Sequence, residues 1–215
     1  MSISAADERP GVAAFDLDGT LTRRDTLLPF LQRLCGTTAV MRALMPEWSA
    51  VPAVAMGTID RDTTKARVLA RLLTGWVATD IVDAAEDYAE HVVTARLRAD
   101  TISRVTWHRE QGHRLVIVSA SPDLYVGPVA AALGFEAALA TRLEVADGRL
   151  TGRLVGNNVR GAEKVRRLKA HFGDGPMTLW AYGDSSGDRE LLAAADHATR
   201  VTRSGLIDVE TPPRQ

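Results

Sequence analysis

An apolar run that ends abruptly in acidic residues is the feature that most constrains this chain. Residues 12–15 are apolar, and they are followed at once by Asp16-Leu17-Asp18-Gly19-Thr20. Buried parallel strands read as continuous apolar runs, and open α/β sheets bind ligands where their strands end. The pattern therefore predicts a buried strand that delivers Asp16 and Asp18 to a site at its carboxyl end.

The spacing of the two acidic residues indicates what this site binds. Two carboxylates this close repel each other unless a cation or a shared proton lies between them. Mg²⁺, a hard divalent ion with oxygen ligands, is the simplest solution. Gly19 lets the backbone approach a bound anion, and the Thr20 hydroxyl can donate a hydrogen bond to it. The alternative is an acidic turn that only closes a core strand.

Two further apolar runs also end in polar residues. Residues 115–118 are followed by Ser119 and Ala120, and residues 178–182 are followed by a Gly-Asp-Ser-Ser-Gly-Asp segment that begins at Gly183. Between them, Lys164 lies in a segment with amphipathic helical spacing. Each residue also has an ordinary interpretation: a turn serine, a solvated lysine and, for Asp188, the N-cap of the following helix.

The ordered set resembles the haloacid dehalogenase superfamily of phosphatases, and within it the phosphoserine phosphatase-like subfamily IB. The set is Asp-x-Asp-Gly-Thr, then Ser, then Lys, then Gly-Asp-x-x-x-Asp. The resemblance implies an α/β fold, a Rossmann-like doubly wound parallel sheet with a helical C1-type cap inserted after the first motif. Residues 1–21 and 108–215 are then the core, and residues 22–107 are the cap.

The resemblance also implies a role for each motif residue. Asp16 is the expected nucleophile, which becomes an aspartyl phosphate, and Asp18 is the expected general acid and then base. Lys164 is expected to offset charge on Asp16 and on the transferred group. Asp188 is expected either to bind the metal through a water or to orient Lys164. The implied phosphate-binding residues are Gly19, Thr20, Ser119, Ala120 and Lys164, and the implied Mg²⁺ residues are Asp16, Asp18, Asp184 and Asp188.

The segment between the first two motifs reads as helical. Apolar spacing predicts helices over residues 26–34, 60–73 and 79–97, with Thr79 and Asp80 as capping residues of the last. Residues 37–56 are apolar but less regular, because Pro46 and Pro52 interrupt them. They fall short of the roughly 20 uninterrupted apolar residues of a membrane span. Cap-domain core is the favoured interpretation, and membrane association is the alternative.

Later elements follow from turn signals. The pattern predicts a helix over residues 124–133, strands over 136–141 and 198–201, and a hairpin around Asp147-Gly148. No convincing closing helix occurs in residues 202–215. Asn157 and Asn158 follow the hairpin, where they either face the phosphate or serve turn chemistry.

Substrate residues are less well defined by the motifs. Phosphoserine phosphatases place a glutamate nine residues after the nucleophile, where this chain has Asp25. They also carry a cap arginine for the substrate carboxylate, and Arg67 and Lys65 lie nearby in this sequence. The candidate substrate residues are therefore Asp25, Arg67 and Asn157.

Composition excludes several other classes of function. A net charge of −1 gives no electrostatic footprint for nucleic acid or an anionic membrane. The single cysteine, Cys35, excludes an internal disulfide, and the five histidines form no His-x-x-x-His pair of the kind that binds zinc. Residues 1–11 lack a secretory signal pattern, so we expect a disordered tail and a cytoplasmic protein.

The function expected from these observations is Mg²⁺-dependent hydrolysis of a small phosphorylated metabolite through an aspartyl phosphate. One alternative is phosphotransfer to another hydroxyl, as in the mutases of the superfamily. A second is a non-catalytic phosphate-binding protein that uses the cap surface around Trp48 for a partner. The sequence predicts no oligomeric state.

Overall fold

The structure, a computed structural model, describes residues 10–48 and 61–209 as an α/β fold. The predicted tail and the apolar stretch beyond Trp48 lie outside these ranges. The strands are β1 (Gly11–Phe15), β2 (Arg114–Pro122), β3 (Ala137–Thr141), β4 (Leu143–Ala146), β5 (Arg149–Leu154), β6 (Thr178–Gly183), β7 (His197–Thr202) and β8 (Gly205–Val209). The helices are α1 (Leu27–Cys35), α2 (Thr37–Trp48), α3 (Arg61–Leu73), α4 (Val82–Ala95), α5 (Ala99–Glu110), α6 (Asp123–Ala132), α7 (Ala162–Phe172) and α8 (Arg189–Ala193).

The main sheet has the strand order β3-β2-β1-β6-β7-β8. β1 pairs in parallel with both β2 and β6, and only β8 runs antiparallel, against β7. The predicted doubly wound parallel sheet is therefore confirmed. Strand order reverses between β1 and β6, and an α/β sheet opens its ligand crevice at such a switch point.

The core lies on both faces of this sheet, which explains the unbroken apolar run of β1. Ala13 and Phe15 point to one face, whereas Val12 and Ala14 point to the other. Successive side chains of a strand alternate, so both faces must be apolar when both are covered. Phe15 also stacks on Tyr182 of β6, with ring centroids 4.3 Å apart.

Helices α1 to α4 form an insert after the first motif, as the fold class predicts. The chain leaves and returns through a short bridge between Thr22 and Leu97, next to a 2.9 Å bond from the Arg98 amide to the Leu21 carbonyl. α5 follows this bridge and contacts β2 and β8 of the sheet. None of the helices in the described ranges is long and apolar enough to cross a membrane.

The insert differs from expectation at two points. Thr37–Trp48 is a regular helix although Pro46 lies within it. Proline lacks an amide proton, so it costs the helix one backbone bond, the one to the carbonyl four residues earlier. The capping prediction for Thr79 and Asp80 is wrong. Thr79–Ile81 forms a short 3-10 turn, and no side chain caps α4.

The predicted hairpin of β4 and β5 is confirmed. Asp147 and Gly148 have φ angles of 49° and 73°, the left-handed backbone that a two-residue turn of this type requires. The hairpin also bonds to the segment after α3, where the Gly75 amide donates to the Leu150 carbonyl at 2.8 Å. The hairpin therefore braces the helical insert.

The last strand, β8, is an element that the sequence did not predict. It pairs with β7 in the register Val201↔Leu206 and Thr202↔Gly205. β8 is apolar at Leu206, Ile207 and Val209, but it is only five residues long and partly exposed at the sheet edge, so its pattern is too short to identify a strand.

His108 of α5 gives a test of how the core responds to acid. Its ring is fully buried, with Nε2 2.9 Å from the Tyr182 hydroxyl and Nδ1 2.7 Å from Nδ1 of His113. Burial, with added repulsion from neighbouring cations, lowers the pKa of His108 to about 3. Between about pH 6.5 and pH 3 the unfolded chain therefore binds a proton at His108 that the folded chain does not. The free energy of unfolding then falls by about 1.4 kcal/mol for each unit by which the pH is lowered.

We expect the stability that His108 contributes to be complete above its unfolded pKa and to fall as the pH drops below it. In His108→Gln this acid-dependent loss should disappear, so the two urea-unfolding free energies should converge between pH 7 and pH 5. His91→Gln, an exposed site on α4, is the control. If the free energies of unfolding of wild type and His108→Gln changed with pH in parallel, the lowered pKa of His108 would be contradicted.

Candidate active site

Three acidic side chains meet at the switch point of the sheet. Asp16 directly follows β1, Asp184 follows β6, and Asp188 ends the turn Ser186–Asp188. Each offers an oxygen within 4.8 Å of those of the other two. Gly19 has a φ of 82°, and a Cβ there would overlap the Asp184 carboxylate. Glycine thus allows the segment that follows β1 (residues 16–21), which we call the first loop, to approach Asp184 closely.

Lys164 connects two of these acids. Its Nζ donates to Asp16 Oδ1 and to Asp188 Oδ1, each at 2.6 Å. The side chain is 2% exposed and comes from the first turn of α7. Burial alone would lower the pKa of Lys164, but the two carboxylates outweigh it and raise that pKa. The ammonium stays charged and retains a third proton for a ligand.

Asp188 uses both of its oxygens within the protein. Besides Lys164, it accepts bonds from the Ser185 amide at 3.0 Å and the Ser185 hydroxyl at 2.9 Å. The expectation that Asp188 caps the following helix is wrong, because its side chain makes no bond to α8. Instead it closes the preceding turn in a reciprocal capping box with Ser185.

Asp184 is the acid of this cluster that has an unpaired carboxylate oxygen. Its Oδ1 is buried without a hydrogen-bond partner among the described residues. Burial, and then the Asp188 charge, raises the pKa of Asp184 to about 6. Burial is also the main cause that raises the pKa of Asp16, with repulsion from Asp188 and Asp18 added and Lys164 opposing.

These observations fit a divalent cation at this position. Clustered carboxylate oxygens are the donors that hard cations prefer, and positive charge among them would keep all of them ionised. An unpaired buried carboxylate oxygen is costly unless something binds it. Asp16 and Asp184 are therefore the residues that could hold the metal, with Asp188 nearby.

Asp18 lies in a separate, fully bonded environment. Its Oδ2 accepts from the Ser121 hydroxyl at 2.5 Å, and its Oδ1 accepts from the amide and the hydroxyl of Thr26, both at 2.6 Å. Burial, and then the Asp25 charge, raises the pKa of Asp18 despite these bonds. Thr26 lies at the start of α1, so the helical insert helps to orient this carboxyl group.

Most, but not all, of the other residues expected to bind phosphate line the cavity. Gly19, Ser119 and Ala120 line the cavity above the acids. The buried Ser119 hydroxyl oxygen accepts a 3.1 Å bond from the Ser121 amide, which leaves its proton free for an anion. Thr20 is fully buried and is not part of the cavity lining, and its hydroxyl has no hydrogen-bond partner among the described residues.

Lys65 of α3 also lines the cavity. From the sequence it stood out only as a neighbour of the candidate Arg67. Its Nζ donates to the Ala120 carbonyl and, at 3.1 Å, to Asn158 Oδ1. Asn158 in turn donates to Asp62 of the same helix at 2.8 Å. Burial lowers the pKa of Lys65 to about 8, although nearby acids oppose this shift. No sequence motif signals this contact, because it joins residues far apart in the chain.

The three candidate substrate residues have different surroundings. Asp25 lines the cavity. The Arg67 guanidinium lies 3.4 Å from Glu47 on α2 and is not part of that lining. Asn157 lines a neighbouring cavity, whereas Asn158 lines the one that holds Asp16. That cavity has a volume of about 1020 Å³.

Comparison with known sequences identifies related proteins over most of the chain. The family of haloacid dehalogenase-like hydrolases matches residues 13–193. The protein CicA of Caulobacter vibrioides is 40% identical over 195 residues, covering 87% of this chain and 84% of CicA. A Mycobacterium tuberculosis protein named as a probable phosphatase is 31% identical, covering 88% of this chain and 68% of its own length.

Solved structures give the same fold. A Bordetella pertussis protein of unknown function superimposes with a TM-score of 0.75 at 25% identity, covering 88% of this chain and 89% of its own. A substrate-bound phosphoserine phosphatase superimposes with a TM-score of 0.60 at 19% identity, covering 89% and 86%. At that identity the second comparison supports the fold alone.

The buried ion pairs of Lys164 predict a large loss of stability on its removal. Lys164→Met leaves two carboxylates buried without their cation, which should lower the free energy of unfolding by about 3–5 kcal/mol. Lys169→Met, an exposed site on the same helix, should change it by no more than about 0.5 kcal/mol. Urea unfolding at pH 7 measures both. Equal losses in the two variants would contradict the ion pairs of Lys164 with Asp16 and Asp188, which we call the Lys164 triad.

Proposed function

The chain belongs to the haloacid dehalogenase-like hydrolases, and from this premise we propose that it is a Mg²⁺-dependent phosphomonoesterase of the phosphoserine phosphatase-like kind. Its substrate is a small phosphorylated metabolite, and the reaction passes through an aspartyl phosphate. The observation that carries the proposal is the Lys164 triad, which holds Asp16 at the switch point beside the free Asp184 oxygen. Phosphoryl transfer needs mainly this positioning and charge stabilisation.

The first step uses two aspartates in different environments. A carboxylate oxygen of Asp16 attacks phosphorus, and the bond from phosphorus to the leaving oxygen breaks. Asp18 gives its proton to that oxygen, which leaves as an alcohol. The raised pKa of Asp18 favours the protonated form that this step requires. The Ser121 and Thr26 hydrogen bonds fix the direction of the carboxyl group.

The second step returns the enzyme to its starting state. Asp18, now ionised, takes a proton from a water molecule that attacks phosphorus, and the bond to Asp16 breaks to release inorganic phosphate. Lys164 and the Ser119 hydroxyl bind the phosphoryl oxygens in both steps. Asp16 and Asp184 are the residues that would hold Mg²⁺, which when bound would supply further positive charge near the transferred group.

The helical insert serves as the cap in this proposal. It supplies Thr26, which bonds to Asp18, and Lys65, which bonds to the Ala120 carbonyl near the end of β2. It is therefore in contact with the expected acid and with the segment that carries Ser119. Closure of such a cap over the cavity would exclude bulk water from the phosphoryl group. Asp25 and Lys65 are then the cap residues that face the leaving group.

Asp16→Asn tests the nucleophile. We expect phosphate release from 4-nitrophenyl phosphate with added Mg²⁺ to fall more than a thousandfold, about 4 kcal/mol of barrier, because an amide does not form the acyl phosphate. Asp83→Asn, an exposed site on α4, should keep the wild-type rate. An Asp16→Asn variant with undiminished turnover would refute the mechanism. Hydrolysis in ¹⁸O-labelled water separates release to water from transfer to another hydroxyl.

Asp184→Asn tests the metal site. Mg²⁺ at 100 times its dissociation constant should stabilise the wild-type fold by about 2.7 kcal/mol, because only the folded chain holds the ligands together. Asp184→Asn should lose most of this gain, and Asp174→Asn, in the exposed loop before β6, should retain it. Melting temperatures and calorimetric titration with MgCl₂ measure the effect. Equal stabilisation of the three proteins would exclude this cation site.

A further inference from the structure

Four arginine side chains surround the outer part of the cavity that holds Asp16. Arg23 and Arg24 follow the first loop, and Arg200 and Arg203 come from β7 and the turn after it. All four are exposed. Within the described residues their guanidinium groups make no hydrogen bond or ion pair. We refer to this set as the arginine rim.

Arg98 holds the two halves of the arginine rim together. Its amide donates to the Leu21 carbonyl at 2.9 Å, next to the segment that carries Arg23 and Arg24. Its guanidinium donates to the Thr202 carbonyl at 2.9 Å and forms a bidentate pair with Asp100. The β7–β8 turn is therefore fixed beside the first loop.

The acids of the same cavity do not neutralise the rim. Asp16 and Asp188 are paired with Lys164, and Asp18 is held by hydroxyl and amide donors. Asp62 accepts from Asn158, on the side of the cavity formed by α3. Asp25 accepts a bond from the Leu28 amide, and Asp184 keeps one buried oxygen unpaired beside Asp16, so among the described residues neither forms an ion pair with a rim arginine. The rim cations are therefore available to a ligand. The chain as a whole carries a net charge of −1, so this surplus is local.

The size of the cavity agrees with a ligand that extends beyond one phosphate. Its volume of about 1020 Å³ lies at the upper end of the range of small-molecule sites. The inner end, at Lys164 and Ser119, suffices for the phosphoryl group that is transferred. The outer end then faces the leaving group, and arginine is the side chain best suited to bind phosphate there.

We propose that the substrate's leaving group carries a second phosphate, which the arginine rim binds while the first phosphate lies at Ser119 and Lys164. The inference rests on the proposed phosphatase function and specifies its substrate class as small bisphosphorylated molecules. The rim phosphate is not transferred. It adds binding energy at a distance from the reacting atoms, which orients the ester to be cleaved.

The test compares substrates that differ only by the second phosphate. Values of kcat/KM are measured for fructose 6-phosphate against fructose 1,6-bisphosphate, and for adenosine 3′-phosphate against adenosine 3′,5′-bisphosphate. The proteins are wild type, the double variant Arg200→Ala with Arg203→Ala, and single Arg203→Ala. Arg42→Ala is the matched control, because Arg42 is exposed on α2 and does not line the cavity. 4-Nitrophenyl phosphate, which has no second phosphate, is the reference substrate.

We expect wild type to prefer the bisphosphate of at least one pair by about tenfold or more, as charge-assisted bonds to a second phosphate would give. The double variant should remove most of that preference and change 4-nitrophenyl phosphate turnover by less than about threefold. Arg203→Ala should have a partial effect and Arg42→Ala none.

Two results would overturn the inference and leave the phosphatase function intact. One is equal kcat/KM for monophosphates and bisphosphates in wild type. The other is an equal loss for both kinds in the double variant, which indicates general attraction of anions. Absence of 4-nitrophenyl phosphate hydrolysis with Mg²⁺ would instead remove the phosphatase function and this inference with it.

Discussion

The contact between one buried ammonium and two buried carboxylates is the interaction on which the site depends. Lys164 is 2% exposed and lies 2.6 Å from an oxygen of both Asp16 and Asp188. Charges so deeply buried are tolerated only when they are paired with good geometry. Because the three residues come from the end of β1, the start of α7 and the turn before α8, their pairing fixes three loops at one point. The triad therefore positions the chemistry and constrains the fold around it.

This arrangement separates the two aspartates of the first motif. Asp16 faces Lys164 and the acidic cluster, whereas Asp18 turns toward Thr26 and Ser121. Neighbouring carboxyl groups take different roles when their surroundings stabilise different protonation states. Burial raises the pKa of both carboxyl groups, but the Lys164 ammonium opposes that shift at Asp16, whereas the Asp25 charge adds to it at Asp18. In the proposed mechanism the cation beside Asp16 favours the nucleophile, and the enclosed position of Asp18 favours the acid. One short motif thus supplies two functions.

The helical insert is coupled to this chemistry through few contacts. Thr26 bonds to Asp18, and Lys65 bonds to the Ala120 carbonyl near the end of β2. Since both residues belong to the insert, movement of its helices would shift Asp18 and the end of β2, where Ser119 lies, together. On the far side of the cavity, Arg98 clamps the β7–β8 turn next to the first loop. Substrate selection by the insert and by the arginine rim would then act on opposite sides of the same phosphoryl group.

The sequence by itself determined the α/β class, the strands that end in acids, and the hairpin, because buried strands and tight turns leave local patterns that read directly. Tertiary structure decided which side chains meet. Lys65 and Asn158 are 93 residues apart and share a hydrogen bond that no spacing foretells. The rotamer of Arg67 was equally invisible, since its partner Glu47 lies on another helix. The edge strand β8 also escaped detection, because five residues with a single partner give a pattern too short to identify a strand, although three of them are apolar.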